Sequence, residues 1–164
     1  MKWLYILGVM VSLVSCRQAN TLPSETRTQT EESNTKSVKQ IKTELTQKGF
    51  QIFDYVDEES KDTVLMQQYF IAFLKKGPNR SQSKEKADSL QMLHLEHLGK
   101  MYALGFADIS GPFGDDGDIR GITIYNTPTL EIADSLANMD PMVKSGRLVI
   151  EMHPWWAAKG FPLR

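Results

Sequence analysis

The segment at residues 63–74, TVLMQQYFIAFL, constrains the fold of this chain more than any other part of the sequence. It is rich in β-branched and aromatic residues, which predicts a strand. Apolar side chains would occupy both faces of that strand: Leu65, Tyr69, Ile71 and Phe73 on one, and Met66, Phe70, Ala72 and Leu74 on the other. Because an apolar face must pack against another layer, this strand requires cover on both sides.

The segments that follow alternate between helix and strand patterns. Residues 83–104 have the helical period, with Ser83 as the N-cap and Gly105 as the stop, and residues 129–139 predict a second helix capped by Thr129. Strand patterns lie at residues 106–110, 119–126 and 147–153, and residues 111–117 form a loop. The order βαββαβ predicts an α+β, ferredoxin-like fold, with two helices on one face of a four-stranded antiparallel sheet.

The face of this sheet that carries no helix also needs cover. A homodimer that pairs two sheets face to face is the simplest way to bury it, so we expect a second copy of the chain as a partner. Nineteen basic and twenty acidic residues give a net charge of −1, with no long basic run, and this excludes a nucleic-acid partner. The single Cys excludes an intrachain disulfide framework and a Cys-based zinc site.

The first sixteen residues, MKWLYILGVMVSLVSC, predict a secretory signal peptide. Their apolar run is shorter than the ~20 residues that cross a bilayer. The sequence Leu13-Val14-Ser15-Cys16 resembles the bacterial lipobox, which implies a lipidated Cys16, a membrane anchor and a domain outside the cytoplasm in the bacterial cell envelope. An ordinary signal peptide with an incidental Cys, or a buried helix, would be the alternative interpretations.

Two segments separate the signal from the predicted sheet. Residues 17–37 are rich in Thr, Ser, Glu and Gln and predict a disordered tether. Residues 38–62 form an extension in which Val38, Ile41 and Leu45 predict a short amphipathic helix that ends at Gly49. The α+β domain is then expected at residues 63–160.

The helix at residues 83–104 places both of its histidines within one apolar arc. That arc contains Leu90, Leu93, His94, Leu95, His97, Leu98, Met101, Tyr102 and Leu104. A buried imidazole beside a carboxylate is a tuned acid or base, but it can equally be a hydrogen-bonded core residue. Asp140 precedes Pro141, which displays its carboxylate at a bend or simply ends a helix.

The sequence contains no recognised motif for a metal or a cofactor. His94 and His97 have i, i+3 spacing, but HExxH is absent, and residues 115–118 lack the spacing of a calcium loop. The sequence contains no P-loop, GxGxxG or GxSxG pattern. We therefore expect no metal and no cofactor.

Several short motifs, taken in order, resemble the YCII-related family over residues 64–156. They are His94-Leu95-x-x-Leu98, Gly105, Gly111-Pro112-Phe113, Asp116-Gly117-Asp118-x-Arg120-Gly121, Asp140-Pro141, Lys144-x-Gly146-Arg147-Leu148 and His153-Pro154-Trp155. The resemblance implies a dimeric α+β barrel, a catalytic His94–Asp140 dyad, and substrate contacts at Gly111, Pro112 and Phe113. Because relatives include a dehalogenase of chlorinated muconolactones, it also implies proton transfer next to a carbonyl or lactone.

Two functions are compatible with these features. One is an enzyme of the lyase, isomerase or dehalogenase type that acts on an unidentified small molecule through His94 and Asp140. The other is a non-catalytic envelope lipoprotein that binds a ligand or partner, with a structural His–Asp pair. Access of His94 to a cavity of substrate size distinguishes them.

Overall fold

The computed structural model describes residues 36–163. The expected signal peptide, with Cys16, and the expected tether up to residue 35 lie outside the described residues. The elements, in chain order, are α1 (Val38–Gln47), β1 (Ile52–Val56), β2 (Thr63–Lys76), α2 (Lys84–Ala103), β3 (Ala107–Pro112), β4 (Ile119–Tyr125), α3 (Leu130–Asn138), α4 (Pro141–Lys144) and β5 (Leu148–Ala158).

Local sequence signals determine where the helices begin and end. The Ser83 side chain accepts a hydrogen bond from the Lys86 backbone N–H at the start of α2, and Thr129 caps α3 in the same way. Ser37 and Gln40 form a reciprocal capping box at α1. The turn after α2 contains Gly105 with φ 73°, a left-handed conformation that favours glycine. The three helices predicted from the sequence are confirmed.

Strand β2 is the centre of an antiparallel sheet. Strand β5 pairs along one edge of β2, β4 pairs with the C-terminal half of its other edge, and β3 pairs with β4. The spatial order β5-β2-β4-β3, with the chain order β2-α2-β3-β4-α3-β5, is compatible with a ferredoxin-like fold. The α+β class and the antiparallel sheet are confirmed.

Strand β1 corrects the prediction of a four-stranded sheet, because the described residues form five strands. It pairs with the N-terminal half of β2, so the extension at residues 38–62 is not only helical. Its sequence, IFDYV, is short and interrupted by Asp54, and Phe53 and Tyr55 are about half exposed. The strand is held by pairing with β2 and by contact between the Phe53 and Trp156 rings, whose centroids are 5.0 Å apart.

The core lies between the sheet and α2, α3 and α4. It is formed by Phe70, Ala72, Leu74, Leu90, Met101, Ala107, Tyr125, Ala133, Ala137, Met142 and Leu148. Register places the alternate residues Ile71 and Phe73 on the opposite face of β2, with Ile122 and Ile124 of β4 beside them. Ile71, Phe73 and Ile122 are only partly buried within the chain, so the cover expected for this face stays a prediction.

The buried stripe of α2 is narrower than the predicted apolar arc. Leu90, His94 and Met101 are buried, whereas Leu93, Leu95, Tyr102 and Leu104 are 43–70% exposed. The reason is geometric, since one sheet face covers only the residues spaced i, i+4, i+11 that point toward it. No helix among the described residues is long and apolar enough to cross a membrane.

Candidate functional site

His94 and Asp140 form a buried hydrogen-bonded pair between α2 and α4. The Nδ1 atom of His94 lies 2.5 Å from Oδ2 of Asp140. Only 11% of the His94 side chain and 3% of the Asp140 side chain are exposed. The structure therefore brings together the two residues that the sequence singled out for acid–base chemistry.

Asp140 is held in place by the start of α4. It is the N-cap of this helix, and its Oδ1 accepts a 2.8 Å hydrogen bond from the backbone N–H of Met142. Pro141 occupies the first turn, where its missing N–H costs nothing. The expected helix-ending Asp-Pro bend is thus also the beginning of a four-residue helix, which the sequence does not predict.

The hydrogen-bond pattern determines which nitrogen of His94 can exchange a proton. A carboxylate only accepts hydrogen bonds, so Nδ1 of neutral His94 carries the proton and donates it to Asp140. The lone pair is then on Nε2, which can act as a base toward a bound molecule. The arrangement orients the imidazole in the way that the carboxylate of a catalytic triad does.

His94 lines a cavity of 460 Å³ between α2 and the strands β3 and β4. Pockets of about 300–1,000 Å³ hold drug-sized ligands. Gly111 and Pro112 also line the cavity, as the last two residues of β3 rather than as parts of the predicted loop. The third predicted substrate contact, Phe113, is 44% exposed and is not one of the residues that line the cavity.

Burial and the charge of Asp140 shift the pKa values of two side chains, Tyr125 and His97. Burial, and then the Asp140 carboxylate, raise the pKa of the Tyr125 hydroxyl above its usual value. Burial lowers the pKa of His97 from 6.5, while the negative charge of Asp140 opposes that shift. Within residues 36–163, the buried Nε2 of His97 has no hydrogen-bond partner.

The cavity is also lined by three arginines that the sequence does not assign to the site: Arg80, Arg120 and Arg147. Arg120 and Arg147 lie in motifs that carry the family resemblance, but nothing in the local sequence indicates that they line the same cavity as His94. These arginines come together because strands that are distant in the sequence pair in the sheet. The tertiary structure, and not the local sequence, therefore shows that they line one cavity.

The third histidine, His153, lies on the other face of the sheet. Its Nε2 is 2.9 Å from Glu151 Oε1, and Glu151 also receives Lys75 Nζ at 3.0 Å. A pairing of Arg147 with Glu151, which their spacing suggests, is not formed, because Arg147 donates to Gln82 instead. In the part of the chain that the structure describes, no three His, Cys, Asp or Glu side chains are grouped to hold a metal.

The chain is similar to a solved structure of 5-chloro-2-hydroxyhydroquinone dehydrochlorinase from Burkholderia phenoliruptrix AC1100, in complex with 2,5-dihydroxybenzoquinone. The identity is 22% and the TM-score is 0.41, over 53% of this chain and 92% of that one. No family model matches the chain, and no curated protein matches it significantly.

Proposed function

We propose that this protein is an enzyme that transfers a proton to and from a small carbonyl compound, in a reaction of the lyase, isomerase or dehalogenase type. The observation that carries the proposal is the Nδ1–carboxylate bond between His94 and Asp140 at the wall of a 460 Å³ cavity. An enzyme needs its acid–base group at a cavity of substrate size, and His94 lines one. If His94 lay outside the cavity lining, the non-catalytic binding lipoprotein would be favoured instead.

The reaction follows from the state of the pair. Nε2 of His94 removes a proton from a carbon next to a carbonyl, and the Asp140 carboxylate stabilises the imidazolium that forms. If the adjacent carbon carries a leaving group, the electron pair of the broken C–H bond expels it and forms a double bond. If it does not, the imidazolium returns the proton at another carbon, which is an isomerisation.

The first test measures where His94 carries its proton. In ¹⁵N spectra of histidine-labelled protein, we expect neutral His94 to be protonated at Nδ1. In Asp140→Asn, the new amide can donate to Nδ1, so we expect the proton to move to Nε2. The exposed pair of His153 and Glu151 offers a matched control, because Glu151→Gln should leave the His94 spectrum unchanged. A wild-type His94 protonated at Nε2 would contradict the dyad and favour the non-catalytic binding lipoprotein.

The second test measures proton transfer itself. Small lactones and ketones are incubated with the protein in D₂O, and deuterium at the carbon next to the carbonyl is measured by mass spectrometry. We expect exchange with the wild type and a loss of about 10²–10⁴-fold in His94→Gln, the usual contribution of a general base. Exchange at the same rate in His94→Gln would show that His94 is not the base.

We also propose that the domain is a YCII-related dimeric α+β barrel. The order and spacing of the motifs quoted above support the family, and the antiparallel sheet with helices on one face supports the barrel. The other face carries Ile71, Phe73 and Ile122, and a second copy of the chain would cover them.

We further propose that the protein is a lipoprotein of the bacterial cell envelope, anchored through Cys16. The support is the lipobox-like sequence at residues 13–16, in a chain with no other Cys. Metabolic labelling with palmitate should mark the wild type and not Cys16→Ser, which should also lose its partition into the detergent phase. Equal labelling of both chains would contradict the anchor.

A further inference from the structure

Three arginines line the cavity together with His94. Arg80 comes from the connection between β2 and α2, Arg120 from β4, and Arg147 from the residue before β5. Arginine is the residue that best recognises planar oxyanions, because its fork of N–H groups matches the two oxygens of a carboxylate. The cavity thus combines an acid–base group with a concentration of positive charge.

Among residues 36–163, an ion pair is formed by one of these arginines. Arg120 Nη1 donates to Asp116 Oδ1 at 2.9 Å. Asp88, the one carboxylate among the described residues that line the cavity, is bound by Lys84 Nζ at 2.5 Å. Asp88 is therefore already paired, and no second carboxylate among the described lining residues balances the other two arginines.

Arg80 and Arg147 instead donate to neutral oxygens. Arg80 Nη1 donates to the Arg147 backbone carbonyl at 3.1 Å, and Arg147 Nη1 donates to Gln82 Oε1 at 2.9 Å. Neither forms an ion pair with any acidic residue in the described range. Since a guanidinium has five N–H donors, each retains donors for a ligand. The bonds to neutral oxygens hold the side chains in place without neutralising their charge.

The remaining wall of the cavity is apolar. Leu74, Leu95, Leu98 and Leu148 line it together with His94. A ligand that fits this cavity has an anionic end for the arginines and an apolar body that reaches the imidazole.

We propose that the cavity binds organic acids, with Arg80 and Arg147 receiving the carboxylate and His94 facing the body of the molecule. This inference rests on the proposed function, because it assigns the substrate class of the same cavity. It does not depend on proton transfer, so the two can fail separately.

The test uses benzoate and its neutral isostere benzamide, with the full-length chain in detergent micelles. Calorimetry gives the affinities, and the spectrum of labelled histidines locates the binding. We expect benzoate to bind at least about tenfold more tightly than benzamide and to shift the His94 signal without shifting that of His153. Equal affinities for the two compounds, or no His94 shift with benzoate up to its solubility limit, would overturn the proposal.

Charge-removing variants then assign the carboxylate contact. Arg80→Gln and Arg147→Gln should each weaken benzoate binding about tenfold without changing benzamide binding, and Arg147→Lys should restore part of the loss. Lys86→Gln is the control, since it removes an exposed positive charge from α2 outside the cavity lining. An equal loss in Lys86→Gln and in both arginine variants would show only a general charge effect and overturn the proposal.

Two further measurements keep the outcomes distinct. If Arg147→Gln does not fold, Arg80→Gln decides, because the Arg80 side chain is exposed and its loss leaves the core intact. His94→Gln should retain the preference for benzoate over benzamide even though it slows proton exchange by about 10²–10⁴-fold. Preserved preference with a wild type that exchanges no protons would overturn the enzyme and leave an organic-acid-binding protein.

Discussion

The ring of His94 and the carboxylate of Asp140 are 2.5 Å apart, although 46 residues separate them in the sequence. The same carboxylate accepts the backbone N–H of Met142 through its other oxygen. Asp140 therefore satisfies two buried donors, one from α2 and one from α4, and couples the position of the imidazole to the start of a helix.

Replacement of Asp140 by Ala should destabilise the fold. It leaves the Met142 N–H without its acceptor and removes the bond to His94, so we expect a loss of about 2–4 kcal/mol in the free energy of unfolding. Urea denaturation measures this loss. Asp134→Ala, on the exposed side of α3, is the control and should change stability by less than about 0.5 kcal/mol. Equal midpoints for both variants would show that Asp140 is not a structural acceptor.

His97 should make the protein less stable in mild acid. Burial lowers its folded pKa below 6.5, so near that pH the unfolded chain binds more protons than the folded one. The stability that neutral His97 contributes is complete above pH 6.5 and is lost as the pH falls through the folded pKa.

His97→Leu should therefore lose less stability than the wild type between about pH 7 and pH 5. It also removes the buried Nε2, which has no hydrogen-bond partner among the described residues, together with the hydrogen bond of the ring to the Leu136 backbone, and these two changes oppose each other. Urea unfolding at several pH values measures both effects. Met92→Leu, at a 67% exposed position of the same helix, should keep the wild-type slope. An unchanged slope in His97→Leu would contradict the prediction.

Two glycines of the cavity wall should differ sharply in their tolerance of Ala. A Cβ at Gly121 would lie 2.6 Å from the Gly111 carbonyl oxygen, whereas a Cβ at Gly111 meets no atom within 4 Å. Gly121→Ala must separate β3 from β4 and should cost about 1–3 kcal/mol, while Gly111→Ala should cost less than about 1 kcal/mol. Thermal unfolding compares the two, and the reverse order would show that this strand pairing is looser than described.

The open face of the sheet should determine the oligomeric state. Phe73→Glu places two like charges in the apolar contact that a face-to-face dimer would make, so the variant should sediment with the mass of one chain where the wild type sediments as a dimer. Val149→Glu, on the same face and 40% exposed, should have the same effect. Tyr102→Glu, on α2 and 70% exposed, should not. A monomeric wild type would contradict the dimer.

Most helices and strands of this fold can be predicted from the local sequence. Ser83, Thr129 and Gly105 determine the limits of α2 and α3 because capping and left-handed turns involve only a few neighbouring residues. The alternation along β2 likewise predicts its two apolar faces. The sequence does not predict strand β1, because a five-residue segment with an internal Asp54 has little intrinsic preference for the strand conformation. The strand forms through its pairing with β2.

The site depends far more on the tertiary structure. The sequence identified His94 by its place on a helix, and a family resemblance, not spacing, connected it with Asp140. Whether His94 would be sealed in the core or face a cavity depended on how much of α2 the sheet covers. Arg80 and Arg147 meet at that cavity because the end of β2 pairs with the start of β5, a contact between distant parts of the chain. Local residues determine helices and strands through short-range bonds, whereas a site is decided by which distant segments the core brings together.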